Sequence, residues 1–200
     1  QVGFQAGLCT LDHLYILTES VRLRAVGGLP TYACFIDCRK AFPSVFKAGL
    51  LVKLHRMGVR GRYWRIIKAM YQQIQTRILT GHDDSISAAE LEGLFYTINT
   101  GVREGSILSP LLYILFIDGM LQKLRDSGYG VRIRHRHTNA ETWVGALMYA
   151  DDIVLVSRTA EGLQNMLDIA AKHAEENYYQ ISQSKSKVVV FGEKPENTNE

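Results

Sequence analysis

Asp151 and Asp152 stand side by side in Met148-Tyr149-Ala150-Asp151-Asp152-Ile153-Val154-Leu155-Val156-Ser157, held between apolar, β-favouring runs. Adjacent carboxylates at a hairpin tip repel each other unless a cation sits between them. Mg²⁺ is the usual resolution, because it prefers hard oxygen ligands and binds through one or two carboxylates plus substrate phosphates. An isolated pair could equally be a solvated turn, since Asp is a common turn residue. A third carboxylate, Asp37, closes the apolar run Thr31-Tyr-Ala-Cys-Phe-Ile-Asp37, which follows Gly27-Gly28-Leu29-Pro30. Alone, Asp37 reads as a strand-end acid capping a helix that begins near Ser44. Two strands bringing three acids together would make a site for two divalent ions and in-line attack on a phosphate.

The elements that must position these acids can be outlined from pattern. Residues 10–26 read as a helix, 31–37 as a strand, 44–57 as a helix stopped by Gly58, and 61–79 as a second helix with an apolar stripe. Leu94–Ile98 suggests a short strand, and Gly81-His-Asp-Asp84 a plain turn. The segment Gly101-Val-Arg103-Glu-Gly105-Ser-Ile-Leu-Ser109-Pro110 leads into an apolar helix over 109–126. Ser109 suits its N-cap, Pro110 its first turn and Gly128 its stop. A β-hairpin pair then reaches the Asp151-Asp152 turn, followed by a helix over 161–177 and a strand over 187–191. The expectation is one α/β (α+β) unit over 1–192 with a polar tail at 193–200.

Taken in order, Phe-Ile-Asp37-x-x-Lys40-Ala41-Phe42, Gly-Val-Arg103-x-Gly105-x-x-Leu-Ser109-Pro110 and Tyr149-Ala-Asp151-Asp152 resemble the reverse transcriptases of non-LTR (LINE-type) retrotransposons. The opening Gln1-x-Gly-Phe4-x-x-Gly7-x-x-Thr10-x-Asp12-His13 and the closing Ile181-x-x-x-Lys185-Ser-Lys187-Val-Val-Val-Phe191 fit the same family, so the resemblance spans nearly the whole chain. It implies a polymerase palm, an antiparallel sheet backed by helices, with part of the fingers and little room for a thumb. It implies RNA-directed DNA polymerase activity, with an RNA template, a DNA primer and dNTPs as partners. Asp37, Asp151 and Asp152 match the carboxylates that hold two Mg²⁺ ions, with Mn²⁺ as a substitute. Phe42 matches the bulky residue below the incoming sugar, and Lys40 and Ala41 would offer backbone N–H groups to the triphosphate. Gly105 would lie under the templating base pair, and Lys185 matches a lysine that protonates pyrophosphate. Tyr149 would touch the primer end, with Arg103, Ser109 and Pro110 beside primer and template. Gln5, Leu8, Pro43 and Glu104 depart from the family's pattern. An RNA-binding module of this shape that has lost catalysis, or a retroelement relic, is the alternative reading.

Composition bounds the setting. Two hundred residues, 46% hydrophobic, can bury one sizeable core, and a net charge of +3 is only mildly basic. Its distribution is more telling: residues 39–82 contain no Asp or Glu, yet include Arg56, Arg60, Arg62, Arg65 and Lys68, a phosphate-tracking surface if the helices are exposed. Arg132, Arg134 and Arg136 alternate along 131–137, which suits either a nucleic-acid backbone or a plain exposed strand. Cys9, Cys34 and Cys38 fit neither a zinc spacing nor a disulfide framework, and the histidines form no metal-ligand pattern. A reducing, intracellular compartment follows by default, and the resemblance adds the nucleus for a eukaryotic element. The apolar stretch 107–121 is too short for a membrane span and contains Asp118. Oligomeric state is not legible.

Overall fold

The computed structural model describes residues 2–72, 74–77, 95–134, 138 and 140–192. The Asp83-Asp84 pair, Leu94, Arg136, His135, His137 and the tail 193–200 lie outside the described residues. At the centre runs β1 (Thr31–Arg39), flanked on one side by the hairpin β6 (Ala146–Tyr149) and β7 (Asp152–Ser157). Its other edge is shared by β8 (Gln180–Ile181) and β9 (Lys187–Phe191), giving a five-stranded sheet whose pairings are all antiparallel.

Strand alternation sorts the sheet's two faces. Cys34, Ile36, Cys38, Ile153 and Leu155 join the main core with α5 (Ser109–Asp126) and α6 (Ala160–Glu176). Phe116, Met120 and Leu124 of α5 are almost wholly buried there, each worth about 1.5–3 kcal/mol of apolar burial. Val154 and Val156 point the other way, into a smaller cluster with Ile16 and Leu17 of α1 (Thr10–Val26). Val131 and Val144 join it from the hairpin of β4 (Val131–Arg134) and β5 (Glu141–Val144). Helix ends follow local chemistry: Asp12 accepts from the Cys9 N–H at 2.7 Å to open α1, and Thr159 Oγ1 accepts from the Gly162 N–H at 3.0 Å to open α6.

Between β1 and α5 the structure corrects three expectations. The helix expected over 44–57 is two pieces, α2 (Ala41–Ser44) and α3 (Lys47–Arg56), with extended backbone at Val45 and Phe46. The break is held from outside: Val102 N–H donates to Phe42 O at 2.9 Å and Gly101 N–H to Val45 O at 2.8 Å. The helix expected over 61–79 stops at Gln72 as α4 (Gly61–Gln72), because Ile74–Arg77 pairs as β2 with β3 (Phe95–Ile98). Ser109 is not the N-cap of α5. Leu108 holds that position, and Ser109 lies inside the first turn, its buried hydroxyl donating to Arg103 O at 2.6 Å. Strand β1 also runs two residues past Asp37, where it meets the short β8.

Candidate active site

Asp37 and Asp152 are direct cross-strand partners in the β1–β7 ladder, and alternation puts both on the sheet face opposite α5 and α6. Directly opposed like charges destabilise a sheet. Asp151 occupies the turn between β6 and β7, where Tyr149 pairs with Asp152. Ala150 precedes it at φ 54°, a left-handed conformation that costs a residue with a Cβ about 1–2 kcal/mol. Asp151 is half-buried; burial first, then the charges of Asp152 and Asp37, raise its carboxyl pKa above the usual range, partly offset by a backbone hydrogen bond. Lys185 Nζ stands 3.8 Å from Asp37 Oδ2, and both side chains are substantially exposed, so this contact relieves little of the repulsion.

The loop carrying Lys185 fills the gap between β8 and β9. Ser182 N–H donates to Asp37 O at 2.8 Å, Asp37 N–H to Ser186 Oγ at 3.3 Å, and Ser186 Oγ–H to Ser182 O at 2.7 Å. Both main-chain groups of Asp37 are thereby held by a loop whose role the sequence did not reveal. Behind the acids, on the core face, the Cys38 thiol and the Tyr113 hydroxyl interact. Burial pushes the Cys38 thiol up to about 12, with the three nearby aspartates adding to the effect, so it stays protonated.

Tyr113 also packs its ring on Phe42 at 5.2 Å between centroids. Phe42, Gly105, Ser109 and Pro110 line one cavity of about 440 Å³, so four residues singled out by type share a single space. Lys40 adopts φ 47°, turning the chain sharply between β1 and α2, while Ala41 is buried behind it. Gly105 sits at φ 75° with nothing within 4 Å of the place a Cβ would occupy. Gly101 is the opposite case: its Cβ would fall 2.7 Å from Pro43 Cα and O. That contact explains glycine at 101, while Pro43 lies in the first turn of α2, where a missing N–H is tolerated. Tyr149 packs against Phe4, 6.2 Å between ring centroids, and Val2 N–H donates to Met148 O at 3.0 Å, extending the edge beside β6. Arg103 is exposed, and its carbonyl anchors Ser109. Arg132 and Arg134 both pair with Glu141 of β5, at 3.8 and 3.3 Å, which favours the plain exposed strand among the two readings of that segment.

Among the described residues no three such side chains already close into a metal cage. The chemistry of the donor set nonetheless fits a hard divalent cation: carboxylate oxygens only, crowded, and short of protein cations.

A small antiparallel sheet backed by two helices, with acids at one end of its central strands, defines a polymerase palm. The chain matches the family model described as reverse transcriptase (RNA-dependent DNA polymerase) over residues 1–198, and it belongs to that family. Its relatives place it on the non-LTR retrotransposon branch. It is 32% identical over 155 residues, 77% of this chain, to a Pol polyprotein from the type-1 retrotransposable element R2 of Nasonia vitripennis. It is 26% identical over 96% of its length to a probable RNA-directed DNA polymerase from transposon X-element of Drosophila melanogaster. The chain spans 13% and 19% of these relatives' lengths. In fold it is similar to telomerase from Candida albicans (TM-score 0.59, 12% identity, 96% of this chain and 31% of that one). Apo telomerase from Candida Tropicalis, truncated from its C-terminal domain, is similar as well (TM-score 0.60, 14% identity, 93% and 36%).

Proposed function

We propose that this chain is the palm-and-fingers portion of an RNA-directed DNA polymerase that adds deoxynucleotides to a primer 3′-hydroxyl paired with RNA. The observation that carries the reading is the Asp37–Asp152 register with Asp151 in the adjoining turn. Asp37, Asp151 and Asp152 would hold two Mg²⁺ ions, with Mn²⁺ as a substitute. Bound there, the ions would lower the pKa of the primer hydroxyl and neutralise the triphosphate as pyrophosphate leaves. Phe42 would meet the sugar with its ring edge and reject a 2′-hydroxyl by contact. Gly105 would leave room for the templating pair, and Lys185 would donate a proton to pyrophosphate. The turn at Lys40–Ala41 would direct N–H groups at the triphosphate, while Tyr149 and Arg103 would border primer and template. A nuclear site of action accompanies this reading for a eukaryotic element.

The test is primer extension on poly(rA)·oligo(dT) with Mg²⁺ or Mn²⁺, using the full-length protein that carries this chain beside its Asp151→Asn form. Incorporation that disappears in the variant supports the polymerase. No incorporation with retained, salt-sensitive RNA binding would replace it with the non-catalytic RNA-binding module, and loss of both signals with a relic.

A further inference from the structure

A second feature of the molecule also holds uncompensated charge, and the polymerase reading does not use it. Helices α3 and α4 are joined by Met57–Arg60, and their junction forms an open groove of about 570 Å³. That is within the roughly 300–1,000 Å³ typical of small-molecule sites. Its walls are Leu51, His55 and Arg56 of α3 and Trp64 and Arg65 of α4. Trp64 is fixed from behind: its Nε1–H donates to Leu51 O at 3.0 Å, and His55 meets it edge-on at 6.1 Å. Lys68 Nζ lies 5.1 Å from the same ring. Arg56 and Arg65 are exposed and have no carboxylate partner among the described residues. Tyr63, next to Trp64 in the α4 sequence, is 76% exposed. None of the three acids lines this groove, whose α3 residues begin at Leu51, past the first turn of the helix.

We infer that the α3–α4 junction binds single-stranded RNA outside the polymerase site, a phosphate bridging Arg56 and Arg65 and a neighbouring base seated against Trp64. Two unpaired guanidiniums flanking a rigidly held aromatic wall match what an unstacked nucleotide presents: a charged, fork-compatible phosphate and a flat π-face. A duplex does not fit, because its bases are already stacked and paired, whereas unpaired bases can be splayed into a cavity. The choice of RNA over DNA rests on the polymerase reading, in which RNA is the strand being fed to the acids; the site itself does not.

The first experiment titrates the full 200-residue chain carrying Trp143→Phe, so that Trp64 is the sole tryptophan, with short oligo(rU). Saturable quenching is expected. The Arg56→Gln/Arg65→Gln double variant should weaken it roughly tenfold and lower the slope of log affinity against log salt by about 0.7 per lost phosphate contact. Since Trp143 donates to Tyr129 O and could matter to folding, a second measurement uses the unsubstituted chain. A 4-thiouridine oligonucleotide should cross-link to residues 61–68, and the double variant should lose that cross-link. Binding unchanged by the double variant, or cross-links only near Asp37 and Asp151, overturns the site. Equal quenching by oligo(dU) overturns the assignment to RNA, and displacement by millimolar inorganic phosphate alone reduces the ligand to a phosphate. The same titration set beside primer extension by the unsubstituted full-length protein separates the two readings. Persistent quenching without polymerase activity leaves the junction site standing alone, while polymerase activity without quenching removes only the junction site.

Discussion

The acidic end of the central sheet and the basic α3–α4 junction are opposite in sign and alike in logic. At the sheet end, Asp37 and Asp152 face each other across two strands with Asp151 beside them, and among the described residues the exposed Lys185, 3.8 Å from Asp37, is the one cation paired with them. At the junction, Arg56 and Arg65 flank Trp64 with no described acid in reach. Folding alone favours neither arrangement, because like charges held together cost free energy that only a ligand of opposite sign returns. The two differ in precision. Asp37 and Asp152 sit on strands whose register fixes them, and the Ser182–Ser186 loop binds both main-chain groups of Asp37. The arginines sit on exposed helix faces, free to track a flexible backbone. Rigid acids suit chemistry, which tolerates little misplacement; mobile cations suit holding a strand.

The largest expected effect divides the regions cleanly. Asp151→Asn removes a charge from the acid cluster and should lower incorporation on the order of 10³-fold, the several kcal/mol that a metal-held transition state supplies. RNA affinity should stay within a few-fold, since phosphate contacts lie elsewhere. A parallel collapse of RNA binding in filter or anisotropy assays would mean that the acids serve binding, and the division between regions would fail.

Next comes sugar choice. Phe42 is wedged between the cavity of Gly105 and the buried ring of Tyr113. Phe42→Ala should admit ribonucleotides, raising their relative kcat/KM by roughly one to two orders of magnitude, a loss of a few kcal/mol of steric rejection. Unchanged discrimination between dTTP and UTP would remove Phe42 from that role.

Two glycines sharpen the contrast within the acidic region itself. Gly105→Ala meets no neighbour, so its φ of 75° should cost only about 1–2 kcal/mol of stability, while incorporation falls because the new methyl projects into open cleft. Gly101→Ala drives a methyl to 2.7 Å from Pro43 at φ 87°, and should cost more stability, about 3 kcal/mol or above, by combining strain with overpacking. Thermal melts beside single-nucleotide incorporation separate the two. A Gly105 variant with full activity would show that the cleft above it stays empty during synthesis.

What was legible in the sequence is what short-range pattern encodes. A continuous apolar, β-favouring run marked Val154–Val156 as a strand, and the apolar run before Asp37 marked β1, because such runs are buried on both faces of a sheet. The ordered set of short motifs identified the family over almost the full chain. What escaped depends on partners distant in sequence. The α2–α3 break exists because Gly101 and Val102 donate to Val45 and Phe42, and nothing near Ser44 announces it. Gln72 ends α4 only because Ile74–Arg77 finds β3. Ser109 has the composition of a cap, yet its hydroxyl is drawn to Arg103 O inside the same loop. The partnership of Cys38 with Tyr113 was equally invisible, since a buried Cys and a buried Tyr look like ordinary core residues.

The smallest effect tests whether titration in the helix layer is independent of the acids. His173 Nδ1 is 2.9 Å from the Tyr179 hydroxyl, which donates in turn to Met120 Sδ at 3.7 Å. Its Nε2 and Lys53 Nζ both come within 3.3 Å of the point where a Gly119 Cβ would stand. A second proton on the ring would therefore place a cation beside an ammonium group. Burial, then Lys123 and Lys53, push the His173 pKa down from 6.5 to about 4, with Glu176 opposing. Above pH 6.5 the imidazole is neutral folded or unfolded, and it contributes nothing to the slope. Between pH 6.5 and about 4 the unfolded chain takes the proton and the folded chain does not, so stability falls as pH falls, and the loss is complete below about 4. Asp151 runs the other way: its raised pKa means the folded state binds the extra proton, so acidification relieves rather than burdens it. His173→Gln keeps a polar ring-sized partner for Tyr179 without the titration, and should flatten the melting-temperature profile between pH 6.5 and 4 by on the order of 5 °C. Asp151→Asn should leave that decline in place. A profile unchanged by His173→Gln would assign the acid sensitivity to the carboxylates and merge the two regions into one electrostatic unit.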